Sequence, residues 1–158
     1  PYYIVFFREV AGVPAGFIGT YLIARIVGGA LSNFFWGRAA DRNSRGVILA
    51  CLAIATITPL SALLLTNLSP IFYSITFVLA GSAINARLVG FNTQLLDLAP
   101  EDMRPTYSGI RGTTIALTAP LPFLAGGLIE IFSFHFAFSL VSALMLAGLL
   151  FNLWEYRG

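Results

Sequence analysis

At 158 residues, 58% hydrophobic and 10% charged, with a mean hydropathy of +0.84, the chain has too little charge for a soluble domain, which carries about 25%. Its nine basic residues are all arginine, and they are scattered with a net charge of +2, which argues against a nucleic-acid-binding face. The lone Cys51 excludes an internal disulfide and a cysteine-type metal site, and the medium these numbers predict is lipid.

The first fourteen residues, PYYIVFFREVAGVP, are too short to span a bilayer. They read as the end of an earlier helix, or as an interfacial piece with paired tyrosines at headgroup level. The chain starts at Pro1 without a signal-peptide pattern, so it is expected to be a fragment lacking its upstream part. Five apolar runs follow, at about Ala15–Trp36, Val47–Thr66, Pro70–Phe91, Tyr107–Ile129 and Phe134–Trp154. Each is close to the roughly 20 residues a transmembrane helix needs, and none alternates with the period of a strand. The expected fold is therefore all-α integral membrane, with five transmembrane helices.

The breaks at Thr66–Pro70 and Ser133–His135 are short and carry no carboxylate or arginine, and those at Gly37–Gly46 and Asn92–Thr106 are longer and charged. Arg38, Arg42, Arg45, Arg104 and Arg157, flanked by Arg87 and Arg111, fall on one side by alternation, and Arg8 alone falls on the other. The positive-inside rule then places the charged breaks and the C-terminus in the cytoplasm, most simply of the cell membrane.

Polar residues within the spans are candidates for function. Arg25 lies near the middle of the first run, where a charge costs about 2.5–3.5 kcal/mol unless it faces protein or water. At helical spacing Tyr21, Arg25, Gly28 or Gly29, and Ser32 share one stripe, a cavity wall with a cation at its centre. It reads as a contact for an anionic solute or a proton carrier, or else as a structural ion pair or a snorkelling side chain. Asn85 on the third span would line the same cavity, or make an interhelical hydrogen bond. Arg87 is expected nearer the cytoplasm, as an anchor or a partner for Asp97. Glu130 and His135 fall at the outer boundary as interfacial groups, and Pro120 and Pro122 should bend the fourth span. Asn67-Leu68-Ser69 matches the glycosylation pattern by chance in a very short turn.

Four charges crowd into Arg38–Arg45, after which none appears between Gly46 and Ala86. The turn has the form G-x-x-x-D-R-x-x-R, as Gly37, Asp41, Arg42 and Arg45. Glycine there allows close helix approach, Asp41 suits backbone N–H groups at a helix N-terminus, and the arginines suit carboxylates or lipid phosphates. They read either as ordinary positive-inside anchors or as a conformational latch. The pattern resembles the signature loop of the major facilitator superfamily, in the degenerate form between its eighth and ninth helices, with Ser44 for the usual Gly and Gly46 for a last basic residue. Pro100, Arg104, Tyr107 and Gly109, then Pro120, Pro122, Gly126 and Gly127, resemble that family's last cytoplasmic loop and the helix after it. Trp154–Arg157 resembles the tail after a twelfth helix.

The resemblance implies that residues 1–158 are helices eight to twelve of a twelve-helix transporter, one C-terminal half-domain whose partners are lipid, a small-molecule substrate and the N-terminal half. It favours the latch for Gly37, Asp41, Arg42 and Arg45. The expected function is secondary active transport by alternating access; the other reading is a non-transporting scaffold or binding protein of the same fold. No phosphate-binding loop, catalytic pair or zinc motif is legible, so neither an enzyme nor a cofactor is expected.

Overall fold

The computed structural model describes residues 2–157, without the side chains of Tyr156 and Arg157, and those residues form helices and turns with no strand among them. The Arg157 side chain used above to orient the chain thus lies outside the described residues. The helices are α1 (Tyr2–Glu9), α2 (Phe17–Arg42), α3 (Ser44–Leu64), α4 (Ser74–Leu98), α5 (Arg104–Ala116), α6 (Leu121–Ile131) and α7 (Phe134–Arg157). Short 3₁₀ turns, Pro70–Tyr73 and Glu101–Met103, lead into α4 and α5. Five stretches are long and apolar enough to cross a membrane, with α5 and α6 together making one of them. Large apolar side chains lie bare on their outer faces, Phe35 at 68% and Phe123 at 82%. Lipid tails match that surface, whereas water would drive it to aggregate.

Two spans run longer than expected. The Gly37–Gly46 break is helix almost throughout: α2 continues to Arg42, Asn43 makes the corner alone, and α3 starts at Ser44. Charge does not end a helix, and Arg and Ala sustain one once it leaves the hydrocarbon. Likewise α4 continues past Phe91 to Leu98 and stops where Pro100 forbids the helical conformation at Ala99.

α2 and α4 form the most extensive helix pair. Gly28 faces the Val78 backbone, and Gly81 faces the Arg25 carbonyl and the Gly29 amide. Small residues let the two backbones touch. α3 packs on α4 and α7, with Gly90 of α4 against Val47 and Ile48, and a Ser61–Thr76 hydroxyl pair at 2.9 Å.

α1 is part of the core rather than an interfacial piece. Phe6 and Phe7 are fully buried among Tyr21, Tyr73, Phe77 and Phe138. Phe7 stacks on Tyr73 at 4.3 Å, and Tyr21 stacks on Phe77 at 4.8 Å. The Tyr2 hydroxyl donates to the Pro122 carbonyl at 2.6 Å, which ties α1 to α6. The fourth span is interrupted where its prolines lie: α5 stops at Ala116, residues 117–120 turn, and Pro122 sits in the first turn of α6. None of this span is buried among the described residues.

Candidate functional site

One cavity, about 340 Å³, opens among α1, α2, α3, α4 and α7. Arg25 is the only charged side chain among the described residues of its wall, which is otherwise mostly apolar, with Tyr3, Leu22, Phe77, Ile84 and Met145 among its members. The Arg25 side chain makes no hydrogen bond or ion pair to another described residue. Because α2 is longer than expected, Arg25 is not at its middle: it lies eight residues, about 12 Å, from Phe17 and seventeen, about 26 Å, from Arg42.

Pro59 and Ala55 of α3 line the same cavity. Pro59 has no N–H, so the Ala55 carbonyl one turn earlier loses its helical donor. Thr58 sends its own hydroxyl back to the Ile54 carbonyl at 2.7 Å. Ala55, whose carbonyl Pro59 leaves without its helical donor, and Arg25 therefore both line one largely apolar chamber. Sequence reasoning passed over Pro59, although a proline in the middle of an uncharged run was its signal.

Tyr21 and Ser32 of the predicted stripe, and Asn85 of the third span, do not join Arg25 in the cavity wall. Tyr21 is 1% exposed in the aromatic core, and its hydroxyl donates to the Pro70 carbonyl at 2.9 Å. Ser32 donates to the Gly29 carbonyl of its own helix at 3.0 Å. Asn85 packs its amide against Gly29 in the α2–α4 seam and is absent from the cavity wall. Helical spacing put Tyr21 and Ser32 on the Arg25 side of α2, but Tyr21 stacks on Phe77 of α4 and Ser32 bonds its own helix.

The α2–α3 corner gathers a second polar cluster. The Asn43 side chain accepts the Gly46 N–H at 2.8 Å, capping α3. That is the role expected of Asp41, which instead lies exposed in the last turn of α2, one residue before Arg42. Gly37 serves no close approach, since a Cβ there would meet open space. Ser44 donates to Asp97 of α4 at 2.8 Å, and Arg45 pairs with Glu155 of α7 at 3.3 Å. Asp41, Arg42, Ser44 and Asp97 border one polar hollow, and Arg38 lies over the Phe34 ring at 5.1 Å. The corner thus ties together the ends of α2, α3, α4 and α7. Asp97, Ser44 and Glu155 were not legible as its partners, because their meeting depends on how far α4 and α7 extend. The expected Arg87–Asp97 pair is not made. The two residues lie ten apart, about 15 Å, along α4, and Arg87 faces a different cavity together with Arg111.

Replacing Asn43 with Ala removes the side-chain cap at this corner. A loss of about 1 kcal/mol is expected, read as a lower thermal midpoint of the purified protein in detergent.

His135 has its ring edge-on to Phe6 at 5.9 Å, and Glu130 is exposed at the end of α6. The family model described as Major Facilitator Superfamily matches residues 1–157. No curated protein and no solved structure matches the chain.

Proposed function

The chain belongs to the major facilitator superfamily, and we propose that it supplies the C-terminal half-domain, helices eight to twelve, of a secondary active transporter for a small anionic solute. The observation that carries this reading is Arg25, the single charge in the wall of a largely apolar cavity and without a protein partner among the described residues. An unpaired guanidinium within a span calls for a counter-charge, and a mobile anion provides one that comes and goes. The energy source is an ion gradient or the solute's own gradient, and alternating access is the route. The protein sits in the cell membrane with the α2–α3 corner and the C-terminus in the cytoplasm, as the arginine distribution supports. Arg42 and Arg45, with Asp41, act as the latch on that face. The Arg45–Glu155 and Ser44–Asp97 contacts join the ends of α3, α4 and α7 at this face, and exposed Asp41 and Arg42 lie beside them, available to the other half-domain.

Reconstituted full-length protein in vesicles should accumulate small anions and exchange them by counterflow. Vesicles no better than empty ones, across a panel of carboxylates and phosphates, would sink the reading. Orientation has its own test. A cysteine placed at exposed Ser69 should react with a membrane-impermeant maleimide from outside intact cells, while native Cys51, buried against the Ala83 carbonyl, stays unlabelled. Protection of the residue-69 cysteine reverses the topology.

A further inference from the structure

One face of α4 serves two cavities in succession. Phe77, Ala80 and Ile84 line the chamber that holds Arg25. Arg87, Leu88 and Phe91 continue the same helical stripe and line a second cavity of about 390 Å³ between α4 and α5. Arg25 is level with the start of this run, since its carbonyl faces Gly81. Arg87 stands six residues, about 9 Å, past Gly81, toward the end of α4 proposed above to be cytoplasmic. Arg111 of α5 lines the second cavity too and donates to Asn92, which is eleven residues, about 16 Å, past Gly81. Three guanidinium groups therefore stand at three successive levels beside α4. Neither cavity has a carboxylate among the described residues of its wall. Asp97, the one carboxylate side chain of α4, lies ten residues past Arg87 and accepts from Ser44 at the corner. The Arg87 side chain makes no hydrogen bond or ion pair to another described residue.

Charges of one sign in a cleft with apolar walls focus the field and raise the local concentration of counter-ions by about 10–10³. Passage also requires that each site release what it binds, which several modest sites in a row allow and one deep site does not. The separate levels of Arg25, Arg87 and Arg111 suit such a series. We infer that Arg87 and Arg111 form the approach from the cytoplasm to the Arg25 chamber, an anion-selecting vestibule along α4 that draws the solute inward and turns cations away. The inference deepens the anion-transport reading and rests on it for what the path serves. The field of the vestibule acts on any small ion, so it is open to test without the transported solute.

Ile84 lines the first cavity one turn before Arg87, so Ile84→Cys places a reporter thiol where the two cavities follow each other. The full-length protein, with its other cysteines replaced by serine, is exposed in inside-out vesicles to anionic sulfonatoethyl, cationic trimethylammonioethyl and neutral hydroxyethyl methanethiosulfonate. The thiol should react, and its anion-to-cation rate ratio should exceed that of a small free thiol. R87Q and R111Q should each lower the ratio at least about fourfold, the effect of one unit charge about 10 Å away on two probes of opposite sign even at the dielectric of water. R87K keeps the charge and should keep the ratio, and R38Q, which removes a charge lying over Phe34, should leave it unchanged. A wild-type rate with the neutral reagent shows that a variant keeps its fold. Where a Gln variant does not fold, salt decides: the unmutated ratio should fall toward that of the free thiol between about 0.01 and 1 M, as the Debye length shrinks from about 30 to 3 Å. The inference is overturned if the thiol is inert to all three reagents from this side. It is equally overturned if the folded variants, or salt in their place, leave the ratio unchanged, which would make Arg87 and Arg111 membrane anchors. Vesicles that accumulate no anion while the ratio behaves as expected remove the transport reading and leave the vestibule; uptake with an unchanged ratio does the reverse.

Discussion

Gly81→Val should yield almost no monodisperse protein on size-exclusion in detergent, while Gly37→Ala should elute as the wild type does. The difference is steric. A Cβ at Gly81 runs into the backbone carbonyl of Arg25 and lies 3.0 Å from the amide of Gly29, and neither group can rotate away. The seam must therefore open, and α2–α4 is the largest helix contact in the bundle. Overpacking a well-filled core costs roughly 1–3 kcal/mol where side chains can adjust; here only backbone is available to move, so the upper end or beyond is expected. The residues flanking the seam cannot compensate. On α2, Gly28 already meets the Val78 backbone and Gly29 meets the Asn85 amide at 2.5 Å from its would-be Cβ. Gly37, by contrast, is a helical glycine facing open space, where alanine gains roughly 0.5–1 kcal/mol of helix stability. Equal elution of the two variants would mean that α2 and α4 do not pack as described.

The number of spans and the lipid medium were legible because both follow from local quantities, the length and hydropathy of each run. The position of the corner was less so. Gly37 and the charges after it looked like a loop, whereas only Asn43, with a side chain able to cap the next helix, breaks the chain. Arg25 was legible as a deep charge, but its neighbours were not. Tyr21, Ser32 and Asn85 are polar residues at suitable helical spacing, and each spends its polarity or its shape on the helix packing instead. Which face of α2 meets α4 is set by Gly28, Gly29 and Gly81, whose meaning appears only when two helices are laid together. Pro59 opens the opposite question: a residue that reads as a flaw in an apolar run becomes informative once it and Ala55, whose carbonyl it leaves without a helical donor, line a chamber with Arg25.

Arg25→Ala should reduce vesicle uptake of the transported anion by at least about 100-fold, with yield and elution unchanged or improved. Two opposed effects make this variant decisive. Removing a guanidinium from within a span relieves an insertion penalty of about 2.5–3.5 kcal/mol if the side chain is solvated only by lipid and stray water. A purely structural or snorkelling arginine would therefore be replaced with a gain in yield and no loss of uptake. A solute-binding arginine behaves differently, because truncating one partner of a desolvated charge pair costs about 2–5 kcal/mol, or roughly 30-fold to several thousand-fold in affinity. Arg25→Lys separates charge from shape: a point charge survives but the bidentate fork does not, so an intermediate loss of about tenfold is expected. Its backbone makes the case sharper still. The Arg25 carbonyl is the atom that faces Gly81 at the α2–α4 crossing, so the main chain at this position stays held whatever side chain it carries. Uptake that survives Arg25→Ala at wild-type rates would assign the cavity's cation to membrane anchoring and leave the solute to another part of the protein.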